Sequence, residues 1–414
     1  MRIRPSGCRA AIAALVLLTA APPALAQNKL LHLPIGDPGR RDREAPLALD
    51  AITDTGTGDL LTPVDLPARL AGTSLLLIGE EHTNMESHCV QLRVLQALVD
   101  AGRPVLIGLE MYPYTEQRFL DRWHEGTMSE EQFVRESRWY DNWGYNWLYY
   151  RDIFLFARDR RIPMFAVNTP RDVVSAVRKK GLANLSPGEA AHIPKEIDAE
   201  DPDHMLYFKT TFEGQEGPVH GAGMSEEMWK NMLGAQATWD ATMGYNAVQA
   251  LKQAKDRNAI MVVLVGLGHV AYGLGIERQA RQWYDGGIAS LIPVAVRGED
   301  GPVASVRASY ANFLWGVPET MDSHYPTLGL STAVGQGDAA RRVIIVQKNS
   351  VAERAGIAVG DVLLSVDGVP LEDKEAYNRL IAAKRWGDPA RIVVRRGGEE
   401  VTLTAVFRRM VKRQ

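Results

Sequence analysis

The chain has 414 residues, 46% of them hydrophobic and 23% charged, with a formal net charge of −3. This length predicts two or three domains of ordinary globular composition, and the near-neutral charge excludes a general attraction to nucleic acid or anionic membrane. With only Cys8 and Cys89, no disulfide framework can hold the fold together.

Arg2, Arg4 and Arg9 flank an almost unbroken apolar run from Ala10 to Ala21, and Ala24-Leu25-Ala26 fits a small-x-small cleavage site. Residues 1–26 therefore read as a secretory signal peptide, with an apolar run too short for a comfortable membrane span. Cys8 precedes the run, on the wrong side for lipid attachment. Cys89 is expected to be a small buried hydrophobe.

Residues 27–49, punctuated by Asp37-Pro38-Gly39 and rich in charge, predict a loose lead-in. A regular alternation follows. Leu75-Leu76-Leu77-Ile78 predicts a strand, and a helix after Thr83-Asn84 carries Leu92, Leu95 and Val99 on one face. Val105-Leu106-Ile107 is the next strand. Helices fill much of 115–160, with a capping box at Ser129 and Gln132. Pro163 to Val167 is a third strand, Pro170 opens a helix ending near Gly181, and Ser186 with Glu189 begins another. A Gly-rich loop at 212–224 precedes a long helix over 225–255. Ile260 to Val265 is a fourth strand and Leu291 to Val296 a fifth. Uniformly apolar strands alternating with helices predict an α/β domain over 50–318: a mainly parallel sheet flanked by helices, with a helical cap.

After a linker at 319–326 the pattern shifts to short strands at 343–346, 362–366 and 392–394, a hairpin at Arg396-Gly397-Gly398-Glu399, and one helix near 374–384. This predicts a second domain, of α+β type, over 327–410.

Ligands of parallel sheets bind beyond the carboxyl ends of the strands. The polar residues of the first domain fall there: Glu80, Glu81 and His82 after the first strand, Glu110 after the second, Asn168 after the third and His269 after the fourth. Both histidines occur as Gly-x-x-His, where glycine is expected to let the chain turn sharply. His88 on the following helix points toward the same cleft. Imidazoles with carboxylates suit a divalent transition metal held by His82, Glu110 and His269, an iron already in a porphyrin, or acid–base chemistry by Glu80, His82, Glu110 and His269. The aromatic segment from Trp139 to Tyr150 is either a packed cap or a wall for a planar ligand, with Tyr150 as an iron ligand and Arg151 holding a carboxylate. His32, His192, His204, His220 and His324 are expected to be solvated.

Several of these motifs resemble the ChaN-like family of haem-binding uptake proteins within the Tiki superfamily. They are Ile78-Gly79-Glu80-Glu81-His82, His88, Gln91, Leu109-Glu110-Met111, Tyr150-Arg151, Asn168-Thr169-Pro170-Arg171, Trp239-Asp240-Ala241-Thr242-Met243, Val265 to Gly273 and Ala311 to Trp315. The resemblance covers about residues 50–318. It implies haem binding in bacterial iron acquisition, with His82, His88, Tyr150, Arg151 and His269 as cofactor-binding residues, while the cleavable signal peptide predicts a periplasmic location. Metal-dependent proteases and esterases of the same superfamily leave a peptidase or esterase as the alternative. Two departures stand out: Ser87-His88 where the family has paired histidines, and Tyr150-Arg151-Asp152 where it favours Tyr-Arg-Pro. The second domain is similar to PDZ domains, with Leu328-Gly329-Leu330 as the carboxylate-binding loop. Such a domain captures the C-terminal or internal peptide of an envelope protein by strand addition. The expected partners are thus haem or iron and a peptide, with no nucleic acid. A homodimer remains open.

Overall fold

The computed structural model describes residues 29–212, 224–298, 301–320, 323–334, 341–372 and 374–409. The expected signal peptide and nearly all of the Gly-rich loop lie outside the described residues. The chain divides after Tyr325 into two compact units. No helix among the described residues is long and apolar enough to cross a membrane.

The first unit is built on an eight-stranded sheet. Its strands are β1 (Ile52–Asp54), β2 (Leu60–Leu61), β3 (Thr73–Glu80), β4 (Val105–Pro113), β5 (Met164–Asn168), β6 (Ile260–Gly266), β7 (Gly287–Ala295) and β8 (Phe313–Val317), in the spatial order β2-β1-β8-β7-β3-β6-β4-β5. From β8 to β5 every pairing is parallel, whereas β1 and β2 add an antiparallel edge. The chain passes from β3 to β4 and β5, returns with β6 between β3 and β4, then extends the sheet on the other side of β3. That reversal puts a crevice at the carboxyl ends of β3, β6 and β4.

The strands are apolar because both faces are covered. Leu75 and Leu77 pack with Met243, Ala247 and Val248 of the long helix Glu226–Lys252. Leu76 and Ile78, equally buried, alternate to the other face, which the helix Met85–Asp100 covers. That helix starts at Asn84, whose side chain accepts from the Glu86 amide. Its buried face is His88, Gln91, Val94, Leu95 and Leu98, a slightly different stripe from the one anticipated. Cys89 turns outward and is exposed, contrary to expectation, because it sits on the opposite side of the helix from that stripe.

The lead-in is not loose. Leu30, Leu33, Ile35, Ala45 and Leu47 join the main core. Tyr272 Oη donates to Leu30 O (2.7 Å) and accepts from Leu33 N (2.9 Å), and Glu44–Pro46 pairs antiparallel with Ser305–Arg307. Each buried Leu or Ile contributes roughly 2 kcal/mol. The proline and glycine that follow mark turns of a strap, not disorder.

The second unit is an antiparallel sheet of β9 (Leu330–Val334), β10 (Arg341–Val346), β11 (Val362–Val366), β12 (Val369–Pro370), β13 (Pro389–Arg396) and β14 (Glu399–Val406), in the order β9-β10-β11-β13-β14, with β12 on β11. A helix at Lys374–Ala382 and a short one at Val351–Arg354 complete it. Its core gathers Leu328, Val343, Ile357, Ile381, Ile392 and Phe407. Buried Asp361 accepts from Arg396 Nε (2.7 Å) and Nη2 (2.6 Å), a fork that ties the hairpin to the start of β11.

Candidate functional site

Three adjacent strand ends deliver the polar cluster. Glu80 closes β3 in register with Gly266 at the end of β6, and Glu110 follows Leu109, the β4 partner of Leu264. The Glu80 side chain is fully buried and saturated. Its Oε1 accepts from Tyr150 Oη (2.6 Å) and His82 Nδ1 (2.9 Å), and its Oε2 accepts from Gln91 Nε2 (2.7 Å) and faces His88 Nδ1 (3.2 Å). Burial alone would raise this carboxyl. The charge of His88 and the hydrogen bonds from His82 and His88 outweigh it and hold Glu80 well below the usual carboxylate range.

His269 is the second centre. Its Nδ1 lies 2.5 Å from Asp240 Oδ1 and 2.8 Å from the Gln236 amide, while its Nε2 lies 3.4 Å from Glu110 Oε1. Burial opposes protonation, but the Asp240 and Glu110 carboxylates push this imidazole up to about 10. Glu110 in turn accepts from Gly266 N at Oε2 (2.7 Å). Its carboxyl is lowered because the His269 charge overrides the burial that would raise it. His82 is raised too: burial opposes the charged form, and Glu80 and Glu110 favour it more strongly. The site is therefore two imidazoles, each backed through Nδ1 by a buried carboxylate, on either side of Glu110. Such backing fixes the ring tautomer and makes Nε2 the outward atom.

The two Gly-x-x-His turns work differently from expectation. Neither Gly79 nor Gly266 has a positive φ. Gly266 is needed for close approach instead: a Cβ there would stand 2.8 Å from His82 Cε1 and 3.2 Å from Nε2. The His82 ring thus lies on the bare backbone at the end of β6.

The aromatic segment divides in two. Trp139 and Trp147 pack with Phe133 and Phe154 as a cap. Trp143 and Tyr145 turn to His82, each with a ring-centroid distance of 4.8 Å. Tyr145 Oη is buried with no hydrogen-bond partner among the described residues. Burial, with the Glu110 and Glu80 charges, keeps this phenol protonated far above its ordinary range. Arg171, from the Asn168-Thr169-Pro170-Arg171 motif, holds this segment by donating to the carbonyls of Asp141 (2.8 Å) and Asn142. Asn168 Nδ2 donates to Glu110 O (2.8 Å).

Of the residues anticipated from sequence, Glu80, His82, His88, Tyr150, Glu110 and His269 do come together, with roles redistributed. His88 is buried with Nδ1 between Glu80 and Gln91 and Nε2 at His82 O (3.3 Å), so it acts on the cluster through Glu80. Tyr150 is fully buried and its hydroxyl is committed to Glu80. Arg151 does not join the site: its Nε donates to Glu130 Oε1 (2.8 Å), since its helix turns it toward the capping box at Ser129. His82, Glu110 and His269 do not form a three-ligand set; among the described residues no group of three or more His, Cys, Asp or Glu side chains is arranged to hold a metal ion. Sequence reasoning missed Gln236, Asp240 and Tyr145 as site residues. Gln236 and Asp240 lie four apart on the long helix and share a face, a pairing visible in sequence as polar residues within an otherwise small and apolar stretch.

The family model for haem-binding uptake proteins of the Tiki superfamily, ChaN, matches residues 66–279, just over half of the chain. The chain belongs to this family. A solved structure of Campylobacter jejuni ChaN with cofacial haem is similar over 65% of this chain and 98% of that one, at 16% identity and a TM-score of 0.50, which supports the shared fold. No curated protein matches the chain. The second unit is a PDZ domain, matched by its family model over residues 342–396. Segments of the HtrA-type protease AlgW with a decapeptide (28% identity, 20% of this chain and 28% of that, TM-score 0.18) and of the HtrA3 PDZ domain with a phage-derived ligand (22% identity, 20% and 83%, TM-score 0.18) are also similar, though such scores carry no weight for the fold. In this ChaN-family chain, Leu328 is buried in the PDZ core and its carbonyl accepts from Ala352 N (2.8 Å). Gly329 has a φ of +70°, and Leu330 opens β9 at the sheet edge, where a peptide strand adds in PDZ domains.

Proposed function

We propose that this chain binds haem at the strand-end cluster, in the periplasm of a bacterium that acquires iron, and that its PDZ domain tethers it to an envelope protein by a peptide. The observation that carries the reading is His82. Its Nδ1 is engaged by buried Glu80, its Nε2 has no hydrogen-bond partner among the described residues, and the rings of Trp143 and Tyr145 stand against it. Haem iron takes imidazole or phenolate as axial ligand, and the macrocycle needs flat apolar walls. His82 Nε2 fits the first requirement, and the rings of Trp143 and Tyr145 fit the second. When bound, haem supplies the iron; the chain's residues orient it and exclude water. The cofacial haem of Campylobacter jejuni ChaN extends the proposal to two haems held face to face, with a homodimer as the means of bringing them together.

The alternative is a metal-dependent hydrolase acting through the same set, with His82, Glu110 and His269 at the metal and Glu110 activating a metal-bound water. Glu80, engaged by four groups, supports the haem reading by holding His82 and His88 in place. Titrating the full chain with haem while following the Soret band tests the proposal. A saturable shift is expected. The absence of one, together with hydrolysis of peptide or ester libraries in Mn, Co or Zn that is lost in Glu110→Ala, would replace it with the hydrolase.

A further inference from the structure

The first unit ends at Tyr325, and that residue is docked onto it. The Tyr325 backbone N–H donates to Tyr149 Oη (3.0 Å), and its ring stands edge-on to the Tyr149 ring with centroids 4.8 Å apart. Ser323 Oγ donates to Tyr325 O (2.8 Å), and the His324 ring packs edge-on against Tyr325 (4.8 Å). The three residues thus make a bend that presents Tyr325 to Tyr149. The segment expected as a linker is pinned there before the chain reaches Leu328 in the PDZ core.

Tyr149 also touches the strand-end site. Its ring lies against that of His88, with centroids 5.4 Å apart, and the Tyr150 ring lies against the same imidazole at 4.4 Å. Burial pushes the Tyr149 phenol up to about 12, so the hydroxyl that accepts from Tyr325 keeps its own proton. His88 Nδ1 stands 3.2 Å from Glu80 Oε2, and Glu80 Oε1 accepts from His82 Nδ1 (2.9 Å). Contacts are therefore continuous from Tyr325 through Tyr149, His88 and Glu80 to His82.

Two features separate this line from ordinary packing. The polar contacts of His88 are all long: 3.2 Å to Glu80, 3.2 Å to Gln91 Oε1 and 3.3 Å to His82 O. Bonds at that length orient a ring weakly, so the flanking Tyr149 and Tyr150 rings decide how His88 meets Glu80. Tyr325 is itself half-exposed, whereas Tyr149 and His88 are 3% and 2% exposed. Removing the Tyr325 ring costs little burial but opens Tyr149 to water, and the attraction between His88 and Glu80 weakens as the local dielectric rises. We propose that Tyr325 is a positioning residue of the haem site: it holds Tyr149 against His88 and thereby fixes Glu80 and the His82 imidazole. The segment leading into the PDZ domain is then part of the site.

The Soret measurement rests on haem binding at the site; the positioning of His88 does not. In NMR spectra of the full chain without haem, the ring C–H resonances of His88 are assigned by their loss in His88→Gln. They are expected to move in Tyr325→Ala and to stay in place in Tyr325→Phe, which keeps the ring and the backbone N–H. Unmoved His88 resonances in Tyr325→Ala would overturn the proposal whether or not haem binds. In Soret titrations Tyr325→Ala should weaken haem binding about threefold and displace the band, less than the roughly tenfold loss of a direct outer partner. Tyr325→Phe should match the wild type in both. An Ala variant with wild-type affinity and spectrum, or a Phe variant as impaired as Ala, would contradict the positioning role. A wild-type chain that takes up no haem would sink the haem reading alone and leave the NMR test standing.

Discussion

Glu80 shows how much one residue can organise. It receives Tyr150, His82 and Gln91, and faces His88, with no exposed surface of its own. Glu80→Gln removes a buried charge and turns one acceptor into a donor. It should destabilise the protein by about 3 kcal/mol, read as a lowered urea midpoint; an unchanged midpoint would show the network to be dispensable. His269 predicts a pH dependence. Its folded pKa is raised to about 10, so its contribution to stability is complete below the ordinary histidine value and disappears as pH rises through about 10. Between pH 7 and 10 the wild type should lose stability that a His269→Gln variant never had, and parallel curves for the two would refute the assignment. Glu80, Glu110 and both strand-end histidines were legible in the sequence because a parallel strand announces its own carboxyl end. His204 was not: a polar residue on a helix looks the same whether it faces water or a buried partner.

At the level of elements, the strands and the long helix follow the apolar runs closely, because burial on both faces leaves no other composition available. The lead-in misled for the same reason in reverse. Leu30, Leu33 and Ile35 are too few to mark an element, and only the hydrogen bonds of Tyr272 and the groove they fill make them core. The end of β6 carries the sharpest prediction. Gly266→Ala puts a Cβ 2.8 Å from His82 Cε1, so the ring must move off the strand end. Haem affinity should fall severalfold with little change in far-ultraviolet circular dichroism; unaltered affinity would mean that His82 is not at the ligand. The Arg171 clamp holds the turn before Trp143 and Tyr145. Arg171→Lys cannot reach both carbonyls with one ammonium, and should loosen that segment, seen as faster amide exchange over residues 141–147; protection equal to wild type would contradict the clamp.

The whole molecule joins a ChaN-family unit to a PDZ domain, and each half has its own decisive position. In the PDZ domain it is Gly329, held at a φ of +70° with the site of a Cβ 2.5 Å from Ser350 Cβ. Gly329→Val should abolish binding of C-terminal peptides from a displayed library, measured by fluorescence anisotropy, and retained binding would place peptide capture elsewhere. The two-domain organisation was readable from the change in strand length and from the glycine motifs. The peptide itself was not, because backbone capture is indifferent to most of the sequence it holds. In the first unit the decisive position is His82. Haem titration of the full chain beside its His82→Ala variant, followed at the Soret band, tests the central claim most directly. The wild type should saturate, and the variant should bind at least about tenfold more weakly with a displaced band. A wild type without a saturable shift, or a variant that matches it in affinity and spectrum, would contradict the account.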